Sequence, residues 1–306
     1  MDMKKLLVIL FPILILNSCK QASDEKSKET ASNVIEISGS DTELPIVQEL
    51  AKTYCQTNTM VTINVNGGGT SVGFGDILNE KSHIANASRS ITDREQAEAA
   101  AKKINLIPIM FAVDAVAIIT NSKLGIDSLS IEQVGQILSG KIKNWKEVGG
   151  PDKAITVYGR DSTSGTQSFL KGKFKIDKYV ETVKTFKETK EIISAVEKDL
   201  TGIGYSGLGY ILDKNGKPNG KIWSMPLYID AVHQAISPLK VTDVIKGEYP
   251  LTRPLYQYVK EKPETNIKNF ILFELSGDGY KIIKEYGYFP INDYQKEINK
   301  LNGLNL

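Results

Sequence analysis

Short runs with an apolar residue at every second position alternate along this chain with longer stretches where apolar residues return every three or four. Most switches between the two periods fall on Ser, Thr, Gly or Asp. Val34 to Ser38 alternates as a strand; Gly39-Ser40-Asp41-Thr42 then turns. Pro45 stands where the first turn of a helix tolerates proline, and Leu44, Val47, Leu50, Ala51 and Tyr54 mark that helix's apolar face. Val61 to Val65 predicts a second strand, followed by Asn66-Gly67-Gly68-Gly69-Thr70-Ser71-Val72-Gly73 and a short helical segment ending near Leu78. His83 to Ala87 predicts a third, Ser88-Arg89-Ser90 follows, and Thr92 to Glu95 has the capping-box spacing that opens an Ala-rich helix. Leu106 to Met110 and Ala115 to Asn121 read as two apolar runs with Asp114 between them, and a capping box at Ser130 to Gln133 starts a helix ending near Gly140. Asn144 and Trp145 lead to the turn Gly149-Gly150-Pro151, and Ala154 to Tyr158 is again a strand. A helix around Ile192 to Val196, a Gly-rich strand at Gly202 to Tyr205 and an apolar segment from Trp223 to Tyr228 come next. After Tyr249-Pro250-Leu251 and Arg253-Pro254, Leu255 to Val259 predicts a last strand. Two helices close the pattern, one on Ile267, Phe270, Ile271 and Leu275, the other on Tyr280, Ile283 and Tyr286.

Strands alternating with helices imply an α/β fold with mainly parallel sheet, in which ligands gather beyond the carboxyl ends of the strands. Four of the strand-to-helix loops carry Ser, Thr, Gly or Arg and almost no bulky apolar residue. The fourth, Gly159 to Thr166, puts Arg160 four residues before Ser164-Gly165-Thr166. Arginine brings a fixed charge with forked donors, and a Ser-Gly-Thr turn that opens a helix brings hydroxyls and free N–H groups at the positive end of the helix dipole. The set points to an oxyanion site.

At 306 residues the chain has length for two domains, and 41% hydrophobic with 24% charged residues is an ordinary globular balance. A net charge of +2 carries no nucleic-acid footprint. Lys4 and Lys5, the apolar run Leu6 to Leu16, then Asn17, Ser18 and Cys19 form a signal peptide over residues 1–18. The run is short for a membrane span, and Pro12 interrupts it. The cysteine after Leu16-Asn17-Ser18 resembles a bacterial lipobox, so Cys19 is expected to be lipidated and to hold the protein on a membrane through more than one acyl chain. Residues 19–33 mix both charges without a large apolar side chain and read as a flexible tether. Cys55 then has no partner, so no disulfide is expected and its thiol is read as buried.

Catalytic motifs are missing. No Lys follows Gly165, so the loop is not a Walker P-loop, and Gly204-Tyr205-Ser206-Gly207-Leu208 lacks the last glycine of a nucleophile elbow. His83 and His233 are the two imidazoles, and no cluster has metal spacing, so neither a cofactor nor a metal is expected and the chain is read as a non-enzyme.

In order and spacing the chain resembles the substrate-binding proteins of bacterial phosphate ABC transporters, from Ile37 to about Ile291. The residues that carry this are Gly39-Ser40 with Pro45, the Gly-Gly-Gly-Thr-Ser run, Ala87-Ser88-Arg89, Asp114, and Asn144-Trp145 with Gly149-Gly150. Further on come Arg160 with Ser164-Gly165-Thr166, Gly204-Tyr205 with Leu208-Gly209-Tyr210, and Tyr249-Pro250-Leu251 with Arg253-Pro254-Leu255-Tyr256. The resemblance implies a two-lobed periplasmic binding protein fold of the second type, each lobe a mixed sheet flanked by helices, with two crossover hinge segments. The expected lobes are 34–112 plus 255–306, and 113–254. It also implies a monomer in the cell envelope that captures inorganic phosphate and passes it to an ABC permease with a cytoplasmic ATPase. Carried over by position, Arg160 is the charge partner, Ser164, Gly165 and Thr166 are donors, and Thr70 with Ser71 donates from the opposite lobe. The Ser40-Asp41-Thr42 turn completes that side, with Ser88 and Arg89 beside it. In the best-known branch a carboxylate follows the serine where this chain has Arg89, and that carboxylate takes the proton of monohydrogen phosphate. Asp41, Asp114 and Asp161 are the alternatives here, with Asp41 preferred because the first loop of relatives carries Thr in its place. The runner-up reading is a surface or sensor lipoprotein for another oxyanion such as sulfate.

Overall fold

A computed structural model describes residues 33–213, 215–230 and 232–302. The expected signal peptide, Cys19 and all but the last residue of the expected tether lie outside the described residues. The chain begins with three strand–loop–helix units: β1 (Val34–Gly39) and α1 (Leu44–Thr57), β2 (Thr62–Gly68) and α2 (Thr70–Leu78), β3 (Ile84–Ala87) and α3 (Asp93–Ala101). Proline stands in the first turn of α1, and Thr92 and Glu95 close the capping box that starts α3. β4 (Leu106–Asn121) then runs for 16 residues. β5 (Leu129–Ser130), α4 (Ile131–Leu138), β6 (Thr156–Arg160), α5 (Gly165–Phe174), β7 (Lys184–Phe186), α6 (Thr189–Lys198) and β8 (Gly202–Gly207) follow. Ser130 and Gln133 form the predicted box at α4. Short elements β9 (Ile222–Ser224), β10 (Leu227–Tyr228) and α7 (Val241–Ile245) precede β11 (Thr252–Lys260), and α8 (Thr265–Glu274), α9 (Gly277–Glu285), β12 (Phe289–Pro290) and α10 (Asp293–Leu301) end the fold.

The main sheet has the order β2-β1-β3-β11-β4-β8-β6-β7, with β9 and β12 also on β4. Its flanks are parallel, as the alternation implies: β1 pairs with β2 and β3, and β6 with β7 and β8. Its centre is not, because β11 runs antiparallel to both β3 and β4, and β4 antiparallel to β8. The two apolar runs expected around Asp114 are one continuous strand. Asp114 stands directly opposite Arg253 of β11, and this cross-strand partner lets a carboxylate remain mid-strand without breaking the ladder.

Apolar packing divides at the long strands. One cluster gathers Val116, Ile118, Trp145, Leu170, Ile203 and Leu251; another gathers Ile37, Leu50, Phe111, Ala112, Leu255 and Phe270, with Phe74, Ile77 and Tyr258 in a smaller neighbour. Each fully buried large side chain in them contributes about 1.5–3 kcal/mol of transfer free energy. β4 passes from one cluster to the other, and β11, entered directly after Leu251 of the first cluster, pairs along it, so the two strands join two lobes: lobe 1 around β1–β3 and α1–α3, lobe 2 around β6–β8 and α4–α6. Cys55 is half-buried and free, and burial pushes its thiol up. Among the described residues no helix is long and apolar enough to cross a membrane.

Candidate functional site

The polar loops meet where the two lobes touch. In lobe 1 they are laced together by backbone. Ser40 N donates to Asn86 O at 2.9 Å, Gly69 N to Gly39 O at 2.9 Å, and Ser88 N to Thr70 Oγ1 at 3.2 Å. The glycine run allows this approach: Gly68 N donates to Asp41 Oδ1 at 2.9 Å, and Gly69, at φ +98°, would place a Cβ 2.6 Å from Thr163 O of the other lobe.

Lobe 2 contributes the end of β6 and the start of α5. Ser164 is the N-cap of α5, its Oγ accepting from Gln167 N at 3.3 Å, which leaves N–H groups of the first turn open at the positive end of the dipole. Arg160 is 3% exposed and fixed from several sides. Its N–H donates to Tyr205 Oη at 2.8 Å, its carbonyl accepts from Gln167 Nε2 at 2.9 Å, and Nη1 reaches Thr189 Oγ1 at 3.2 Å. Nη2 crosses the cleft to Asp41 Oδ2 at 2.6 Å. Nε is buried without a hydrogen-bond partner. Burial pushes the Tyr205 phenol up to about 12, so it keeps its proton at neutral pH.

Direct contacts between the lobes complete the arrangement. Thr42 Oγ1 lies 3.1 Å from Thr166 Oγ1, Ser71 N donates to Thr163 O at 3.1 Å, and Tyr210 Oη donates to Asp41 O. Ser40, Asp41, Thr42, Thr70, Ser88, Arg160, Ser164, Gly165 and Thr166 are all buried in this zone. An open pocket of about 430 Å³ beside it is bordered by Asp41, Gly68, Lys187, Thr189, Lys190 and Tyr210.

Arg89 is turned away from this zone. Its two Nη atoms each donate to one Glu95 oxygen at 2.8 Å, and Nη2 also donates to Ser71 Oγ at 2.9 Å. Burial pushes Glu95 up, but the Arg89 fork and the Thr92 donors outweigh it and hold the carboxyl below its usual range. Asp161 does not orient Arg160; its Oδ1 accepts from Thr163 N at 3.0 Å and from the Thr163 hydroxyl, capping the loop before α5. Asp114 sits fully buried under the cleft, where burial pushes its carboxyl up against the opposing pull of Arg253.

Sequence reasoning missed Arg253 and Glu43 as functional-site neighbours. Arg253 donates through Nε and Nη2 to Asp114 Oδ2 at 3.1 and 2.8 Å, and through Nη2 to Thr42 Oγ1 at 3.1 Å. The signal was available: an arginine followed by proline inside an apolar strand is a buried charge that needs a partner. Glu43, fully buried at the start of α1, has its carboxyl pushed well up by burial, with Arg253 and Ser40 pulling the other way. Among the described residues no group of three or more His, Cys, Asp or Glu is placed to hold a metal ion. What the zone offers is hydroxyls, helix-start N–H groups and a buried guanidinium, which together suit an oxyanion.

Comparison with known proteins agrees with this chemistry. A model described as the PBP superfamily domain matches residues 25–278. The phosphate-binding protein PstS of Borreliella burgdorferi is 32% identical over 300 residues, which cover 94% of this chain and 99% of that protein. PstS of Staphylococcus saprophyticus is 30% identical over 305 residues, covering 95% of this chain and 91% of the relative. Among solved structures, a putative phosphate ABC transporter substrate-binding protein from Clostridium perfringens, with bound phosphate, matches with a TM-score of 0.74 and 25% identity over 85% of this chain and 100% of that one. An ABC-type phosphate transport receptor from Vibrio cholerae matches with a TM-score of 0.68 and 25% identity, covering 84% of this chain and all of that chain.

Proposed function

The chain belongs to the substrate-binding proteins of phosphate ABC transporters, within the PBP superfamily and its two-lobed fold, and from that membership we propose how it binds inorganic phosphate for import. The observation that carries the reading is Arg160: a buried guanidinium with a free Nε, at the end of β6 just before α5 and meeting Asp41 of lobe 1 across the cleft. Phosphate takes Nε of Arg160, the hydroxyls of Ser164 and Thr166, and the N–H groups of the first turn of α5. Thr70 and the Ser40-Asp41-Thr42 turn meet it from the other side. Each charge-assisted bond offsets part of the large cost of drying a dianion. Arg89 and Ser71 stand at the rim, where the Glu95 partner leaves Arg89 no free charge to offer.

Lobes 34–112 plus 255–306, and 113–254, open and close about β4 and β11, admitting and burying the anion. Asp41 takes the ligand's proton; Asp114, locked to Arg253 deeper in the hinge, is the less suitable acceptor. A fully ionised sulfate offers Asp41 only acceptors and is repelled, and the sulfate alternative is further disfavoured because the relatives are named for phosphate. The protein makes and breaks no bond: exported, anchored through Cys19 and monomeric, it hands phosphate to a permease with its ATPase.

Calorimetric titration of the purified protein tests the reading. Phosphate is expected to bind with a clear heat and sulfate at least about 100-fold more weakly, the cost of leaving one buried charged acceptor facing another. Asp41→Asn should narrow that gap. Tight sulfate binding without phosphate heat would sink the proposal, and an unchanged gap in Asp41→Asn would remove Asp41 as the acceptor.

A further inference from the structure

Arg253 lies behind the anion zone, 2% exposed, and its partners come from the lobe 1 loops, from α5 and from β4. Nη2 donates to Thr42 Oγ1 at 3.1 Å and Nη1 to Ser88 O at 3.3 Å, both in lobe 1 loops. Its guanidinium carbon is 5.5 Å from the centre of the Phe169 ring, on the helix whose first turn is Gly165 and Thr166. Nε and Nη2 share Asp114 Oδ2, so the guanidinium adds little net charge of its own. Its influence therefore passes through the groups it touches.

Resting on the phosphate reading above, we propose that Arg253 is a positioning residue for anion binding: by occupying Thr42 Oγ1 as an acceptor it turns the Thr42 O–H toward the cleft. A guanidinium has donors and no acceptor, so in the Nη2–Thr42 contact the hydroxyl oxygen must accept. The Thr42 proton cannot return to Arg253. Thr166 Oγ1 lies 3.1 Å away across the cleft, a contact in which either hydroxyl can donate, so the Thr42 O–H has a place between the lobes. Thr70 Oγ1 also accepts, from Ser88 N at 3.2 Å, with Ser88 Oγ 3.4 Å away in the same lobe, and the carbonyl of Ser88 is one that Arg253 holds. With its proton turned to the cleft, Thr42 is met best by an unprotonated ligand oxygen. Monohydrogen phosphate satisfies this with three of its oxygens and turns the fourth, proton-bearing one elsewhere, toward Asp41.

The test is a double-mutant cycle on phosphate affinity: the unaltered protein, Thr42→Val, Arg253→Met, and both together, each titrated by calorimetry and melted in parallel. Each single change should weaken phosphate roughly 10-fold or more, the loss of one hydrogen bond to a charged group. The double variant should bind about as weakly as Thr42→Val alone, although Arg253→Met lowers the melting temperature in both backgrounds. A side chain that only supports the fold would weaken phosphate by the same factor with or without the Thr42 hydroxyl, and that outcome overturns the inference. If Arg253→Met does not fold because Asp114 is left buried and unpaired, the cycle is run with Arg253→Met/Asp114→Leu, which removes both charges, and is read the same way. An unaltered protein that gives no phosphate heat overturns the phosphate reading and this inference with it, whereas phosphate heat with independent losses overturns the inference alone.

Discussion

Gly165 lacks a side chain because of residues in the other lobe. A Cβ there would overlap Thr70 Oγ1 and come 2.5 Å from Ser88 Oγ, while the backbone of Gly165 is ordinary helix that alanine adopts without strain. Thr70 is branched at Cβ and fully buried, so it cannot swing aside. The clash therefore opposes closure of the lobes and not the folding of either one. Gly165→Ala should weaken phosphate about 10- to 100-fold, the range expected for an overpacked contact, with a much smaller change in melting temperature. Calorimetry beside a thermal melt checks it; an unchanged affinity would mean that closure does not bring Gly165 against Thr70. At this scale the polar loop residues that meet between the lobes were legible in the sequence, but not their pairings. Arg89 was legible as a loop arginine and Glu95 as a capping residue, yet Glu95 does both jobs, accepting from Thr92 N at 2.9 Å and from both Nη atoms of Arg89. Arg253 and Asp114 were legible one at a time; their pairing depends on the β4–β11 register across 139 positions of sequence, which no local pattern records.

Helix α5 shows how one element divides its work between its ends. Gly165 at its start is constrained by the facing lobe, whereas Gly172 near its end is exposed and a Cβ there would meet nothing within 4 Å. Glycine costs a helix interior about 0.5–1 kcal/mol relative to alanine. Gly172→Ala should thus raise stability by up to about that amount and leave phosphate affinity unchanged, as denaturant melts and titration would show; a loss of affinity would implicate the far end of α5 in binding. Elements set by local chemistry were the legible ones. The capping boxes of α3 and α4 and the proline in the first turn of α1 stand where the spacing places them. Elements set by distant partners were not. β4 is one strand because Arg253 answers Asp114, and α10, with Tyr294 and Leu301 exposed, is tied down largely through polar contacts. One such tie is Asn299, whose side chain exchanges hydrogen bonds with Met110 N and O at 2.9 and 2.7 Å. A search for apolar periodicity cannot see a helix docked by an asparagine.

Across the whole molecule, the proposed dianion site must coexist with several acids buried close behind it. Asp41 is matched by Arg160, Asp114 by Arg253 and Glu95 by Arg89. Glu43 and Glu274 are fully buried, and no ion pair among the described residues includes either. Burial pushes both carboxyls well above their ordinary range; for Glu43, Arg253 opposes the rise while Glu274 and Asp114 add to it, and for Glu274 the Gln257 amide opposes it. Burial thus favours the protonated form of both, which opposes uncompensated negative charge under the loop proposed to receive the anion. Such neutrality has a cost that depends on pH. A carboxyl with a raised pKa in the folded state binds its proton more tightly there than in the unfolded chain, so its effect is absent below the ordinary carboxylate pKa and stability is lost as pH rises from that value toward the raised one. Glu274→Gln removes the titration and keeps the shape. It should melt with the unaltered protein near pH 4 and above it by pH 8, each kcal/mol recovered being worth roughly 2–4 °C in a chain of this size. Thermal melts across that range decide it: a gap that stays flat or closes as pH rises would mean that Glu274 is ionised in the fold, and that a cation or an ordered donor has to be sought beside Gln257 and Glu43.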